Sequence, residues 1–559
     1  MDIYKCEVLC IGGGGGGVTA AITAAKCGAD VILVSKEPLG YGDTRISMGL
    51  MSCPGIVKED GVNVFLQDLL KSGEEINDKK LARIMAEKAS DAVGVMENFG
   101  HLFNRDKKGI ISSEVTYFSG GHSQPRTIEC PPGGGIAIGN SLRAAAARSD
   151  IRVYEEVAVT KLLCNNGRVA GAVCYNIITG EISLICAKTT IIATGGAGWL
   201  YYPHTDCAAG VTGDGYALAY EVEAELIDME QVQFIPFGLT YPPSMVGIYV
   251  GEPSLAAPAG VLRNNKGEVI LEDVCKMNRA EVSKAMALEI KRGGGTENGG
   301  LLLDLTPNLS LEEGKRLWKA RKNRGQLDIV RFAYGNKAFN WEEPWDVLPT
   351  AHYFMGGIKV DVFGRSNIPG LYATGQAMGG IHGANRLGSV SLAELFVFGV
   401  IAGDAAAKES KDVELPDLIP GSKEAVAELA QLRGQKGHHT PIQLHRRLQK
   451  VMWEKVGIAR EEKEMRQALT DIEEIKIASE SINIPTQTSY NQEVLHAIEL
   501  RHMIVSAKLV TEAAVIRQET RGAHLRLDFP EKDDINWKKN IVLFKEKGEL
   551  KIRVEAVNG

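Results

Sequence analysis

The chain of 559 residues is long enough for roughly two to four domains with large cores. With 44% apolar and 24% charged residues its composition is that of an ordinary globular protein, and a formal charge of −7 disfavours nucleic acid or an anionic membrane as the main partner. Ten cysteines scattered without a C-x-x-C exclude a locally encoded iron–sulfur cluster or structural zinc site, and they read as reduced, buried thiols.

The first predicted element is an apolar strand, Val8 to Ile11, running into six consecutive glycines, Gly12 to Gly17. An Ala-rich segment follows, with Val18, Ala21, Ile22 and Ala25 at helical spacing, and then a second buried strand, Val31 to Val34. A flexible linker would have polar flanks. These flanks are apolar, so the run reads as the glycine turn of a βαβ dinucleotide-binding unit. Gly12 would make the tight turn, Gly14 would let backbone approach a pyrophosphate, and Gly17 would let the helix pack on the sheet, although an all-glycine run admits other registers. The second strand ends in Ser35-Lys36-Glu37, with no acidic residue directly at its tip, which favours FAD over NAD.

A helical stretch is expected around Asp78 to Phe99, then β-rich segments near 152–164 and 168–176, then a strand entering a second glycine turn in "TTIIATGGAG". Irregular sequence from about 230 to 345 interrupts this grammar, which returns in "GLYATGQAMGGIHGANRLGSVSLAEL". Residues 420 to 530 read as helical and charged, and a short β-like tail closes the chain. The apolar run Leu395 to Gly403, flanked by Glu394 and Asp404, is far shorter than a bilayer span and reads as a buried helix. No charged leader or apolar signal core precedes the first strand, so a cytoplasmic location is expected.

Taken together and in order, "IGGGGGGVTAA", "LVSKE", "GGHSQPRT", "IIATGGAG", "TGDG", "LLLDL", "AHYFMGGIKVD", "GLYATGQAMGGIHGANRLGSVSLAEL", "MWEKVGIAR" and "TRGAHLRLDFPEKDD" resemble the flavoprotein subunits of fumarate reductase and succinate dehydrogenase, with L-aspartate oxidase and the larger, flavin-carrying chain of adenylylsulfate reductase as relatives. The resemblance covers nearly the whole chain. It implies an α/β fold with a Rossmann-like FAD-binding domain, residues 1–230 and 346–415, interrupted by an α+β capping domain, residues 231–345. A helical domain with a short β tail, residues 416–559, would follow. The cofactor implied is FAD, held by Gly12, Gly14, Gly17, Ser35, Lys36, Thr44, Gly195, Asp214, Ser389, Ser391, Leu392 and Glu394, and no metal is implied. The resemblance also allows an iron–sulfur partner protein, and through it a peripheral place at the inner face of a membrane without a direct span.

Carried over residue by residue, Arg279 in "CKMNRAEVSKA" matches the arginine that delivers a proton to the substrate carbon, and Glu252 in "YVGEPS" the carboxylate that relays protons to it. His352 in "TAHYFMGG" and Arg386 in "HGANRLGS" match the pair that holds a substrate carboxylate, while His122 and His524 read as structural. The chemistry is self-consistent: a guanidinium grips a carboxylate with two hydrogen bonds and withdraws charge from a conjugated double bond, and an arginine acting as acid needs a nearby carboxylate to recharge it.

Two departures narrow the function. Where fumarate enzymes of the family read Q-x-H-P-T-G, this chain reads "QFIPFGL", placing Ile235 where a histidine holds the second carboxylate, and Gly251 replaces a threonine hydroxyl. Isoleucine cannot pair with an anion, so the substrate is expected to carry only one carboxylate, or a bulkier, less polar group where the second carboxylate of fumarate would sit, and fumarate itself is disfavoured. Asp43 stands where a histidine would attach the flavin covalently, so non-covalent FAD is expected. The function expected is hydride transfer between flavin and a carbon–carbon double bond next to a carboxylate. The alternatives are an adenylylsulfate-reductase-like flavoprotein, an L-aspartate-oxidase-like enzyme, or an electron-transfer flavoprotein.

Overall fold

The protein is described here by a computed structural model covering residues 2–130, 134–321 and 327–558. Its central sheet is built on β1 (Asp2–Ile11), which lies between β2 (Val31–Val34) and the strand Ile182–Ile192, parallel to both. Cys10 pairs with Leu33 on one side and Ile191 on the other. A sheet buried on both faces needs continuous apolar strands, and every residue of Val31–Val34 is buried. Arg152–Tyr154 extends the sheet beyond β2, Arg168–Asn176 and Val157–Asn165 extend the other side, and Leu371–Ala373 joins Ile182–Ile192 in parallel.

Between β1 and β2 runs helix α1 (Gly15–Lys26). The structure fixes the register that the all-glycine run left open. Gly12 has φ +119°, and a Cβ there would meet the Ala193 carbonyl oxygen at 2.2 Å. A Cβ on Gly17 would lie 1.9 Å from the Gly12 carbonyl oxygen, so this position is where the helix comes down onto the turn. The helix Val390–Ser410 packs on α1 through small residues: a Cβ on Gly403 would sit 2.4 Å from the Ala20 carbonyl oxygen. Among the described residues this is the one helix long and apolar enough to cross a membrane, and 72% of its apolar window is buried inside the protein.

The segment around Asp78 to Phe99 forms two helices, Lys79–Lys88 and Asp91–Asn98. Asp78 caps the first by accepting from the Lys80 and Leu81 amides, and at the break the Ser90 hydroxyl donates to the Pro54 carbonyl.

The capping region is a six-stranded antiparallel sheet in the order Tyr249–Gly251, Val232–Leu239, Trp345–Phe354, Leu301–Asp304, Val261–Arg263, Val269–Leu271. Trp345–Phe354 carries this sheet past residue 345, pairing Val232 with Phe354 and Gln233 with Tyr353. Behind it lie Phe237, Leu303, Trp341 and Trp345, all fully buried. The helices Pro441–Val456, Glu462–Ser479 and Gln492–Ile516 form the C-terminal bundle. The closing hairpin, Lys539–Glu546 with Glu549–Ala556, docks on Leu226–Ile227 through Val542 opposite Ile227.

Gly17→Ala is expected to cost about 1–3 kcal/mol through overpacking and to lower the flavin content, read as a fall in Tm and in visible absorbance. Gly94→Ala is the control. A Cβ there meets nothing within 4 Å in the helix Asp91–Asn98, so Tm is expected to hold or rise.

Candidate active site

A cavity of about 230 Å³ follows the Gly12–Gly16 turn, passes Ser35, Lys36, Thr44 and Gly195, and reaches Asp206, His352, Tyr353, Ser391 and Leu392. The N-terminus of α1 opens into it with Gly14 as cap, without a side-chain cap and without an acidic residue in the first turn. That leaves backbone N–H groups and the positive end of the helix dipole for an anion. The Gly15 amide alone is used, donating to Thr44 Oγ1 at 3.1 Å. Lys36 does not present a free ammonium. It donates to Thr212 Oγ1 at 2.8 Å and forms ion pairs with Asp214 at 2.7 Å and Glu499 at 2.8 Å. Burial pushes Asp214 up, but Lys36 and His502, the latter at 2.9 Å, hold it well below its usual range. Lys36 and Asp214 therefore brace the wall of the cavity.

Outside the residues that line the cavity, Arg279 opens the helix Arg279–Glu289, whose start is fixed by a capping box between Asn278 and Glu281. Its Nε donates to Glu252 Oε2 at 2.8 Å, its Nη2 donates to the second oxygen of the same carboxylate, and its Nη1 donates to Gln233 Oε1 at 3.0 Å. Burial pushes the Glu252 carboxyl up, yet the charge and hydrogen bonds of Arg279 outweigh it and hold the group below its usual range. Gln233 ties this pair to the opposite wall by donating to Asn385 Oδ1 at 2.7 Å and to the Arg386 carbonyl at 2.8 Å.

Arg386 is buried and pairs with no carboxylate among the described residues. Its Nη1 donates to Ser391 Oγ at 3.1 Å and to the Leu387 carbonyl at 3.3 Å, its Nε has no partner, and its guanidinium lies 4.6 Å from the centre of the Tyr353 ring. Burial and the nearby charge of Arg279 bring its pKa down to about 10. His352 faces Asp206, whose Oδ2 is 2.8 Å from Nδ1. Burial lowers the imidazole pKa while Asp206 opposes the shift, and the pairing leaves Nε2 for a ligand.

Residues 7–392 match the family described as FAD binding domain, and residues 445–559 match that described as fumarate reductase flavoprotein C-term. The chain is 35% identical over 556 residues to one chain of the fumarate reductase (CoM/CoB) of Methanothermobacter marburgensis, covering 97% of each. It belongs to the fumarate reductase/succinate dehydrogenase flavoprotein family. A solved quinol-fumarate reductase superposes with a TM-score of 0.89 at 28% identity, over 100% of this chain and 99% of that one. Adenylylsulfate reductase from Archaeoglobus fulgidus, at 19% identity and a TM-score of 0.79 over 99% and 96% of the two chains, shares the fold alone.

As a member of that family the chain is an FAD-dependent oxidoreductase, and the cavity fits the cofactor. Three buried polar atoms on cavity-lining residues, Thr194 Oγ1, Thr374 Oγ1 and Gln376 Nε2, have no protein partner, which suits a long polar ligand. Gly12, Gly14, Ser35, Lys36, Thr44, Gly195, Asp214, Ser391 and Leu392 line the cavity. Gly17 stands behind the lining as a packing position. Ser389 and Glu394 lie outside it. Ser389, at φ +64°, donates to Ser119 Oγ at 3.0 Å. Glu394 is fully buried, accepts from the Tyr353 hydroxyl at 2.8 Å and pairs with His382 Nε2 at 2.8 Å, so its carboxylate turns toward the Arg386 side. His122 and His524 are both buried on backbone carbonyls, of Gly388 and Arg517.

Sequence reasoning missed Asp206, 146 positions from its partner His352, and gave Gln233 no role although its motif stood out.

Asp43 lines the cavity, half-buried, and accepts from the Ala208 amide at 2.8 Å. Burial, opposed by that amide and reinforced by Asp206, pushes its pKa up to about 7. A carboxyl here offers no imidazole for attachment, so acid precipitation is expected to leave all the flavin in the supernatant; a yellow pellet would refute this. Since the folded pKa is raised, the contribution of Asp43 to stability is fully present below the ordinary carboxylate range and is lost as pH rises through about 7. The Tm advantage of Asp43→Asn over the native protein is therefore expected to grow between about pH 5 and pH 8, and a shrinking advantage contradicts the assignment.

Proposed function

We propose that the protein moves a hydride between FAD and a carbon–carbon double bond conjugated to a single carboxylate. The observation that carries this reading is Arg386, a buried guanidinium with an unpartnered Nε and no carboxylate at ion-pair distance among the described residues. An uncompensated buried charge is costly, and an anionic substrate supplies the missing counter-charge.

FAD, when bound, supplies or accepts the hydride. Arg386 and His352 orient the substrate carboxylate, and an anion beside His352 favours its protonated form, which then donates from Nε2. Arg279 delivers the proton to the carbon that does not receive the hydride. Glu252, 18% exposed and bridging both nitrogens of Arg279, returns that proton from water. The relatives named fumarate reductase act on a dicarboxylate, but here Ile235 is fully buried on the strand next to Glu252, and Gly251 has no side chain. Neither offers a donor to a second carboxylate, which supports an enoate monocarboxylate.

Electrons are proposed to come from a partner protein that carries iron–sulfur clusters and draws this one to the inner face of a membrane. The adenylylsulfate, aspartate and electron-transfer alternatives gain no support from the site, because the Arg279–Glu252 pair serves carbon protonation.

The test is anaerobic. The bound flavin is reduced, and its reoxidation is followed with fumarate and with crotonate. Crotonate is expected to be the faster oxidant, and Arg279→Lys is expected to slow it by about 10²–10⁴-fold with flavin content retained. Faster reoxidation by fumarate would sink the one-carboxylate reading, and an unaltered Arg279→Lys rate would remove Arg279 from proton delivery.

A further inference from the structure

Tyr249 begins the strand Tyr249–Gly251 beside Glu252, and its hydroxyl is buried without a hydrogen-bond partner among the described residues. A buried O–H left unpaired costs about 1–3 kcal/mol, so a native structure that keeps one needs a reason. The reason lies in its surroundings. The Tyr249 ring centre is 6.2 Å from that of His352, and the charges that act on the phenol are those of Glu252, Arg279, Asp206 and Arg386. These are the charges of the Arg279–Glu252 pair, of Arg386 and of the His352 partner Asp206, so the hydroxyl lies among the groups proposed to act on the substrate. Burial, followed by the Glu252 carboxylate, pushes the phenol well above its ordinary range, and it remains a neutral donor.

The charge count decides what that donor can receive. Arg279 and Arg386 stand against Glu252 and Asp206, two cations against two carboxylates, and His352 is shifted toward its neutral form. With His352 neutral, a dianion leaves two negative charges uncompensated and a monoanion one; once the anion protonates His352, a monoanion is compensated in full and a dianion only in part. On the neighbouring strand Ile235 is fully buried and offers only hydrocarbon.

We propose that Tyr249 is a specificity-determining residue that donates its O–H to an uncharged carbonyl at the far end of the substrate, so that the substrate class is a monoanionic enoate bearing a second carbonyl as ester, amide or ketone. This rests on the reading in which Arg386 and His352 hold the carboxylate. The hydrogen bond also polarises the second carbonyl, drawing density from the same double bond that accepts the hydride.

The experiment uses the holoenzyme with its flavin reduced anaerobically, and three oxidants of one chain length: crotonate, fumarate and fumaramate, the half-amide of fumarate. Fumaramate is expected to exceed crotonate in kcat/KM by about tenfold or more, and Y249F, with flavin content unchanged, is expected to collapse that ratio by about the same factor. A ratio that survives in Y249F overturns the assignment of Tyr249. A native enzyme that prefers fumarate to fumaramate overturns the uncharged far end. If crotonate and fumaramate react equally well, this inference alone fails. If none of the three reoxidises the flavin, the enoate reading of the site falls, and this inference falls with it.

Discussion

The active site depends on a buried charge that it does not contain. Glu230 is fully buried just before the strand Val232–Leu239, and an unpaired carboxylate there would cost several kcal/mol. Arg517 donates to its Oε1 at 2.6 Å, and Arg460 donates to its backbone carbonyl at 2.7 Å. Arg517 also reaches Glu519 at 3.0 Å, and Glu519 in turn binds Arg521 at 2.6 Å. These arginines come from the C-terminal domain. That domain places none of its residues among the four charges of the chamber, but it fixes the start of the strand that carries Gln233 and Ile235.

Charge is handled differently at the two ends of this short stretch. Around Glu230, Arg517 meets carboxylates and Arg460 the Glu230 carbonyl, although Glu230 Oε2 and Arg460 Nη2 have no partner among the described residues. Arg386 meets no carboxylate at ion-pair distance; it donates to Ser391 and to the Leu387 carbonyl, and its guanidinium lies over the face of Tyr353. An aromatic face stabilises a cation without consuming its charge. The Tyr353 hydroxyl donates to Glu394, so the ring is pinned by a carboxylate that does not itself pair with the arginine. The arrangement keeps Arg386 in place while leaving its charge available to a ligand.

The sequence carried the local parts of this architecture well. The glycine turn was legible because a strand, a close approach and a helix have to follow one another within about thirty residues. The pairing of Arg279 with Glu252 followed from two short motifs 27 positions apart. The register of six glycines was not legible, since only the contacts of Gly12 and Gly17 with backbone oxygens distinguish them. Contacts set by tertiary packing were also hidden: Asp206 on His352, the hairpin Lys539–Glu546 on Leu226–Ile227, and the turn of Glu394 away from the cavity. Nothing in "SVSLAELF" says which way a glutamate on a buried helix will point, because that depends on Tyr353 and His382, 41 and 12 positions away.

The six-stranded sheet stands apart from the cofactor cavity. Ile235, Tyr249 and Gly251 lie on two of its paired strands, whereas Ser391 and the glycine turn line the cavity. On the function proposed above, substitutions on those two strands would alter the far end of the substrate site without touching the residues that line the cavity. The separation has a limit. Glu252 directly follows Gly251 and shares its carboxylate with Arg279, so the strand Tyr249–Gly251 also sets the position of that pair. A change at 249 or 251 that bent this strand would shift Glu252 relative to Arg279. The side chain at 249 is therefore freest to vary where it fills the chamber and leaves the pairing of Phe237 with Gly251 intact.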